Sequence, residues 1–363
     1  MTTLQKDATT TSLELISGIQ QVGIGVTSAT KAWSWYGLQL GLSVPVFDDV
    51  AHAKLMTPHT EGIIRERRAI LAVNLAGGGG AEIWESRSPV PLAPTSAPAL
   101  GDLGIFGLKI KCRSVAKWCE LNHMEGVNTP HNQPSVWIQD PEGNAIQLTE
   151  DSSWFKAQSQ HLLGGVLGVV IGVSDIQQSL ALYRDTLGIN QVVYDVSGTF
   201  QDLAGLPEGH RSYRRVLLRK KQTNLGAFSE LFGNIEIELI QALDRKPSRI
   251  FDGRSWGDLG YIHVCFDALN MDAIQERCQQ NGFPFTVDSA TTFDMGEAGG
   301  RFSYIEDPDG TLIEFVETHK VPIMKKWGWF LDLKKRKHQK PLPKWMISAM
   351  GWGKVKPSQS DGY

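Results

Sequence analysis

Ile138-Gln-Asp-Pro-Glu-Gly-Asn-Ala-Ile-Gln147 returns later in the chain as Ile305-Glu-Asp-Pro-Asp-Gly-Thr-Leu-Ile-Glu314, and this pair of stretches decides the fold. Each reads as the end of an apolar strand, a tight D-P-x-G turn and a return strand; proline presets the turn and glycine reaches positive φ without steric cost. Upstream, Gly101-Asp-Leu-Gly104 recurs as Gly257-Asp-Leu-Gly260. Further upstream, Val22-Gly-Ile-Gly-Val26 and Trp35-Tyr36-Gly-Leu-Gln-Leu-Gly-Leu42 recur as Val169-Val-Ile-Gly-Val173 and Leu182-Tyr183-Arg-Asp-Thr-Leu-Gly-Ile189. Matches that keep their order imply an internal duplication.

Each copy divides again into two units of one pattern: a short apolar strand, an amphipathic helix, then three strands. In the first unit the strand is Ile19–Val26 and the helix runs from Ala29 to Leu40. Strands follow near Ser43–Phe47, Ala69–Asn74 and Ala81–Glu85, and the Gly77–Gly80 run marks a hairpin turn. The second unit has strand Phe106–Cys112, a helix near Ser114–Met124, and strands Val136–Gln139 and Ala145–Thr149 around the turn. Units three and four begin at Leu167 and Gly260. The expected organisation is α+β, with four βαβββ modules. Residues 1–14 read as an N-terminal tail, 15–150 as a first domain, 151–162 as a linker, 163–319 as a second domain and 320–363 as a basic, Trp-rich C-terminal appendix.

Length and composition narrow the functional classes. A chain of 363 residues has room for two domains with their own cores. Its four cysteines show no C-x-x-C pairing and read as free thiols. The first fifteen residues carry no apolar h-region and no run of about 18 apolar residues occurs, so a cytoplasmic protein is expected. The net charge of −3 conceals an asymmetry: residues 320–363 hold eleven Lys/Arg against two Asp, a net of +9, while residues 1–319 carry −12. An acidic body argues against nucleic-acid binding. The tail, with Lys325-Lys-Trp-Gly-Trp-Phe and a second tryptophan stretch near Pro341–Ile347, reads in two ways: contact with an anionic membrane through 325–352, or a strap docking its tryptophans on the body.

Paired βαβββ modules with a D-P-[DE]-G turn four residues before a Glu or Gln resemble the vicinal oxygen chelate superfamily, which includes glyoxalase, bleomycin-resistance and extradiol dioxygenase types. The likeness spans residues 16–318. It implies that two modules curl into a cup-shaped mixed sheet, and that the first and last strands of each module supply ligands for a metal. The first-strand position falls on Gln21, Gly107, Gly168 and His263 in modules one to four; the last-strand position falls on Glu82, Gln147, Glu238 and Glu314. Pairing module one with module four gives Gln21, Glu82, His263 and Glu314, with no gap. Sequential pairing makes Glu238 the third ligand and leaves a gap at Gly168.

The resemblance implies one divalent ion on the four-residue set, and oxygen ligands with one imidazole suit Zn, Ni, Co, Mn or Fe(II). Glu82 and Glu314 would then be the catalytic carboxylates, one serving as base while the cation stabilises an enolate. The expected substrate is a small molecule with vicinal oxygens, and the expected chemistry is proton transfer, isomerisation or lyase chemistry on a carbonyl compound. Cys265 shares a strand face with His263, and Tyr304 precedes the turn as in part of the extradiol signature, so both are expected in the pocket. An Fe(II) ring-cleaving dioxygenase is an alternative, although Phe293–Gly300 lacks the acid–base histidine expected there. A metal-free small-molecule binding protein is the other. Arg65, Arg67 and Arg68, and Arg211, Arg214 and Arg215, form two basic clusters that could grip an anion.

Overall fold

The computed structural model describes residues 14–159, 161–290, 293–295, 298–324, 329–333 and 339–353. Module one comprises β1 (Ile16–Gly25), α1 (Ala29–Gln39), β2 (Val44–His52), β3 (Glu66–Val73) and β4 (Gly80–Ser88). Module two comprises β5 (Gly104–Cys112), α2 (Val115–Asn122), β6 (Val127–Asn128), β7 (Pro134–Gln139) and β8 (Ala145–Glu150). Module three has β9 (Leu163–Gly172), α3 (Ile176–Leu180) running into a π-helical turn (Ala181–Thr186), β10 (Gln191–Gly198), β11 (Tyr213–Lys220), the short α4 (Ser229–Phe232) and β12 (Ile235–Ala242). Module four has β13 (Gly260–Ala268), α5 (Met271–Gln280), β14 (Val287–Asp288), β15 (Phe293–Met295), β16 (Ala298–Glu306) and β17 (Leu312–Met324). Beyond it lie β18 (Trp329–Asp332) and α6 (Lys344–Ala349).

The fold is α+β, with two curled mixed sheets. One runs β14-β16-β17-β13-β1-β4-β3-β2, with β15 and β18 attached to β16 and β17. The other runs β10-β11-β12-β9-β5-β8-β7-β6. Module one therefore pairs with module four, and module two with module three. The sheets cut across the sequence halves 15–150 and 163–319, since each takes one module from each half. At the centre of the first sheet β1 and β13 run antiparallel, with Gln21 opposite Cys265 and Gly23 opposite His263. At the centre of the second, β5 and β9 do the same, with Lys109 opposite Gly168.

Local chemistry explains the repeats. Helices α1 and α2 start on serine caps, Ser28 and Ser114, whose side chains accept from backbone amides of the first turn. Glu85, on the off-site face of β4, accepts from Ala29 N at 2.8 Å, and Glu150 from Val115 N at 2.9 Å. Each D-P-x-G aspartate ties its own turn: Asp140 Oδ1 accepts from Glu142 N and Asn144 N, and Asp307 Oδ1 from Asp309 N and Thr311 N. The other oxygen of each accepts a tyrosine hydroxyl from the preceding module, Tyr36 at 2.8 Å and Tyr183 at 3.0 Å. Gly143 and Gly310 complete these turns at φ 85 and 86.

One continuous apolar core joins the helix-covered outer faces of both sheets, including Val22, Ile24, Leu108, Val169, Val264 and Phe315. The Gly77–Gly80 run does more than turn a hairpin. Gly79 bridges Val166 of β9, and a Cβ on Gly78 would meet the backbone of Gly165 at 2.5 Å, so the two sheets touch backbone to backbone here. The segment expected as a linker is packed: Phe155 is buried, and Asp151 and Ser153 hold Lys111. β17 crosses the boundary expected at 320. The strap docks through Leu342 and Ile347, which join Val44, Val73, Phe228 and Phe232, whereas Trp345 is 63% exposed. Aliphatic residues rather than that tryptophan hold it, because α6 turns Trp345 away from the face that carries Ile347.

Candidate metal centre

Gln21, Glu82, His263 and Glu314 meet on the concave face of the first sheet. Parallel pairing of β1 with β4 sets Glu82 level with Gly23, and parallel pairing of β13 with β17 sets Glu314 level with Cys265. Period-two alternation then aims all four side chains into the cup while Val22, Ile24, Val264 and Ile313 face the core. Ligand atoms of Glu82, His263 and Glu314 lie within 4.8 Å of one another. The Gln21 amide nitrogen reaches Glu82 Oε2 at 3.1 Å and Glu314 Oε2 at 3.4 Å. Gln20 faces elsewhere, toward Asp267 and Thr318.

His263 shows what the cluster is built to hold. Its Nε2 lies 3.4 Å from Glu82 Oε2 and 3.1 Å from Glu314 Oε2, yet makes a well-formed hydrogen bond with neither. Gln21 Oε1 is also buried without a partner. The other ring nitrogen, Nδ1, sits 3.4 Å from the Tyr304 hydroxyl, which stands edge-on to the imidazole. An imidazole with one nitrogen held by a neighbour and the other directed at two carboxylate oxygens has the arrangement of a metal ligand. Exchanging the oxygen and nitrogen of the Gln21 amide would turn Oε1 toward the same point. Burial by itself disfavours the charged imidazolium, but Glu314 and then Glu82 outweigh it and push the His263 pKa up to about 9. Without a metal ion, the proton on His263 is the cation that the two carboxylates share.

Gly23 gives the ring its seat. A Cβ at that position would stand 2.4 Å from His263 Cε1, so the imidazole lies flat over the neighbouring strand only because residue 23 has no side chain. The walls are apolar and aromatic: Phe47, Leu71, Trp84, Trp256, Phe302 and Tyr304. Trp84 and Trp256 stack edge to face at 4.5 Å. Cys265 is fully buried and its thiol is pushed well up by burial and by Glu314, so it lines the floor as a neutral group. Tyr304 stands beside His263 in this aromatic wall. His59, which the sequence did not single out, reaches the rim from the β2–β3 connection, 6.3 Å from the Tyr304 ring and 2.8 Å from Thr286 Oγ1.

Two other expectations are corrected. Glu238 is not near His263; it lies in the second sheet, where it accepts from Tyr194 and Arg215 at 2.7 Å and from Lys109 at 3.1 Å. The basic clusters do not present free cations, because each arginine meets a carboxylate. Arg65 pairs with Asp258, Arg67 with Asp49, Arg68 with Asp48, Arg211 with Glu208, Arg214 with Asp195, and Arg215 with Asp202 and Glu238.

Residues 165–315 match the sequence profile of the Glyoxalase/Bleomycin resistance protein/Dioxygenase superfamily. That stretch carries the features of the superfamily. The matched stretch covers most of modules three and four, and modules one and two repeat the same architecture. No curated protein matches the sequence. A candidate dioxygenase from Bacillus subtilis superposes with a TM-score of 0.53 at 12% identity, over 84% of this chain and 86% of that one. Glyoxalase I from Zea mays gives a TM-score of 0.48 at 12% identity, over 83% of this chain and 92% of that one. At such identity the Bacillus structure shares the fold alone.

Proposed function

We propose that this protein is a metal-dependent enzyme that binds two neighbouring oxygens of a small carbonyl compound and catalyses proton transfer, isomerisation or lyase chemistry on it. The observation that carries the reading is His263 Nε2, buried and directed at Glu82 and Glu314 without hydrogen-bonding either. Gln21, Glu82, His263 and Glu314 would hold one divalent ion. Three oxygen ligands and one nitrogen contain no soft sulfur donor, which leaves Zn, Ni, Co, Mn and Fe(II) as the fitting metals. When bound, the ion supplies polarisation of a substrate carbonyl and stabilisation of the adjacent negative charge.

The protein's own groups supply the rest. Glu82 and Glu314 stand on opposite sides of the cup and either can accept a substrate proton at a carboxylate oxygen. By accepting from Nδ1–H, the Tyr304 hydroxyl would hold His263 in the tautomer that leaves Nε2 free for an ion. The aromatic wall excludes water and leaves the substrate oxygens as the chief polar features the site must meet. A ring-cleaving oxygenase is less well supported, because the cluster offers one histidine and two carboxylates rather than two histidines and one.

A specific observation favours a second reading. Protonated His263 already offsets one of the two carboxylate charges, which makes the cup electrostatically tolerable as a metal-free binding site. Metal analysis of protein purified without added metal, repeated on His263→Ala, separates the readings. Near-stoichiometric Zn, Ni, Co or Mn that vanishes in the variant is the expected result. Stoichiometric iron with oxygen uptake on catechols or hydroquinones would move the assignment to the dioxygenase, and no metal under any loading condition would leave the binding protein.

A further inference from the structure

We propose that the second cup is a binding site for an uncharged planar ring with a lactam or imide edge, gripped by the side-chain amide of Gln147. Gln147 lies on β8 between Lys109 of β5 and Trp137 of β7, at the place in its repeat that Glu314 holds in the first cup. Its neighbours Ile146 and Leu148 face the continuous core, so period-two alternation aims the amide at the concave side. The residue is fully buried, yet neither its Oε1 nor its Nε2 has a hydrogen-bond partner. Beside it the indole N–H of Trp137 is also buried without a partner. An interior amide left unpaired at both ends is destabilising, so these groups mark a place built for a guest rather than for packing.

Charge and shape narrow the guest. The charged side chains of this face already cancel one another: Lys109 meets Glu236 and Glu238, Arg215 meets Asp202 and Glu238, and Arg219 meets Glu236. A charged guest would lose its hydration without gaining a counter-ion, whereas an uncharged one leaves the cluster intact. A primary amide presents a donor and an acceptor side by side, and its complement is a ring on which C=O and N–H are adjacent. The Trp137 N–H calls for one acceptor more, which the second carbonyl of an imide supplies. Flat rings line the approach. Phe106 stands edge-on to Trp137 at 6.3 Å, and His131 of the β6–β7 turn lies against Tyr194 of β10 at 5.4 Å, which brings the two ends of the sheet together over the cup.

Titration calorimetry of the full chain with uracil, an uncharged planar imide, tests the proposal; EDTA is present so that an ion in the first cup cannot hold the probe. Uracil should bind at a single site with Kd below about 1 mM. Its derivative methylated on both nitrogens lacks the N–H and should bind at least ~10-fold more weakly. Gln147→Met keeps the length of the side chain and removes the amide. It should lower uracil affinity at least ~10-fold and, without uracil, raise the urea midpoint, because an unpaired polar group has left the interior. Trp137→Phe, which keeps a ring and removes the N–H, should weaken uracil about 3–10-fold in a folded protein and keeps the test open should Gln147→Met not fold. A lower urea midpoint in Gln147→Met would show that ordered water already satisfies the amide, and overturns the proposal. Equal uracil affinity in the parent and both variants, or no binding up to ~10 mM, overturns it as well.

Discussion

The two cups are built on one plan and filled in opposite ways. In the first, β1 and β13 contribute Gln21 and His263, and the outer strands contribute Glu82 and Glu314. In the second, the matching positions on β9 and β5 are Gly168 and Gly107, and those on β12 and β8 are Glu238 and Gln147. The amine of Lys109, at the position matching Cys265, enters that cup and meets Glu236 at 2.9 Å and Glu238 at 3.1 Å. Arg215 lies fully buried between Asp202 and Glu238, and Trp137 fills the space above Gly107. The second cup thus carries its cations on its own side chains. Burial works against the carboxylate of Glu238, but Arg215 and Lys109 outweigh it and pull its pKa down to about 2. Glycines at two of the candidate ligand positions and two buried cations make of the same architecture a self-neutralised support, where the first cup presents a candidate ion site.

The largest effect that could break this contrast is on stability in the second cup. Arg215→Met strands two buried carboxylates and should cost about 3–5 kcal/mol in urea unfolding, without changing metal stoichiometry. A cost under about 1 kcal/mol would mean that the ion cluster is not a structural support.

In the first cup the matching experiment reads metal affinity. His263→Ala should weaken binding at least ~100-fold. In the unmodified protein a metal ion must displace the proton that keeps His263 charged below about pH 9. Apparent affinity should therefore rise about tenfold per pH unit from 6 to 8 and level off above the folded pKa, with one proton released per ion. Titration calorimetry in buffers of different ionisation enthalpy measures that proton, and a pH-independent affinity would contradict the role given to His263.

Two substitutions of the supporting shell sharpen the comparison. Gly23→Ala pushes a methyl group into the His263 ring, and Tyr304→Phe removes the partner of Nδ1. Each should lower metal affinity about 10–100-fold while changing stability by less than Arg215→Met does. Equal affinities in both variants and the parent would show that the imidazole needs neither support.

The smallest expected effect concerns Asp267, four residues along β13 from His263. Its carboxyl is buried with Ser17 and Gln20 as hydrogen-bond donors, and burial pushes its pKa up to about 7. Because the folded value lies above the unfolded one, this group's contribution is most favourable below about pH 4 and becomes less favourable as pH rises to 7. Asp267→Asn should flatten the fall in urea midpoint between pH 5 and 8. An unchanged slope would place the pH dependence elsewhere, with Asp307, raised to about 6, as the next group to replace.

Much of this was legible in the sequence. Repeats in fixed order exposed the four modules, and the glycines at 107 and 168 pointed to pairing of the first module with the last, which the sheet order bears out. Gln21, Glu82, His263 and Glu314 could be named because the family resemblance implies ligands on the first and last strands of a module, and strand periodicity accounts for their facing one way. What escaped depended on contacts distant in sequence. Arg65 finds Asp258, and Lys109 finds Glu236, so a run of arginines looked like an anion grip and a strand lysine looked unremarkable. Gly23 read as one apolar-strand glycine among several; only the neighbouring strand reveals that a histidine ring rests on it. His59 stands in a connection with no repeat partner, and nothing in its neighbourhood marks it as a rim residue.

Pairing of the first strand with the thirteenth has a consequence for how the molecule is made. During synthesis β1 emerges with a bare hydrogen-bonding edge and must wait for β13, while modules two and three can close their own sheet in the interval. This topology favours an inward-out order, with the self-neutralised cup closing as an insert before the cup that holds Gln21, Glu82, His263 and Glu314. Its contacts span most of the chain, which by contact order should slow its formation, and its two ends are brought together by the insert rather than by local sequence. A permuted chain that began at module two and joined module four to module one through a short linker would make that sheet contiguous. The binding centre would then be a local product of folding rather than its final step.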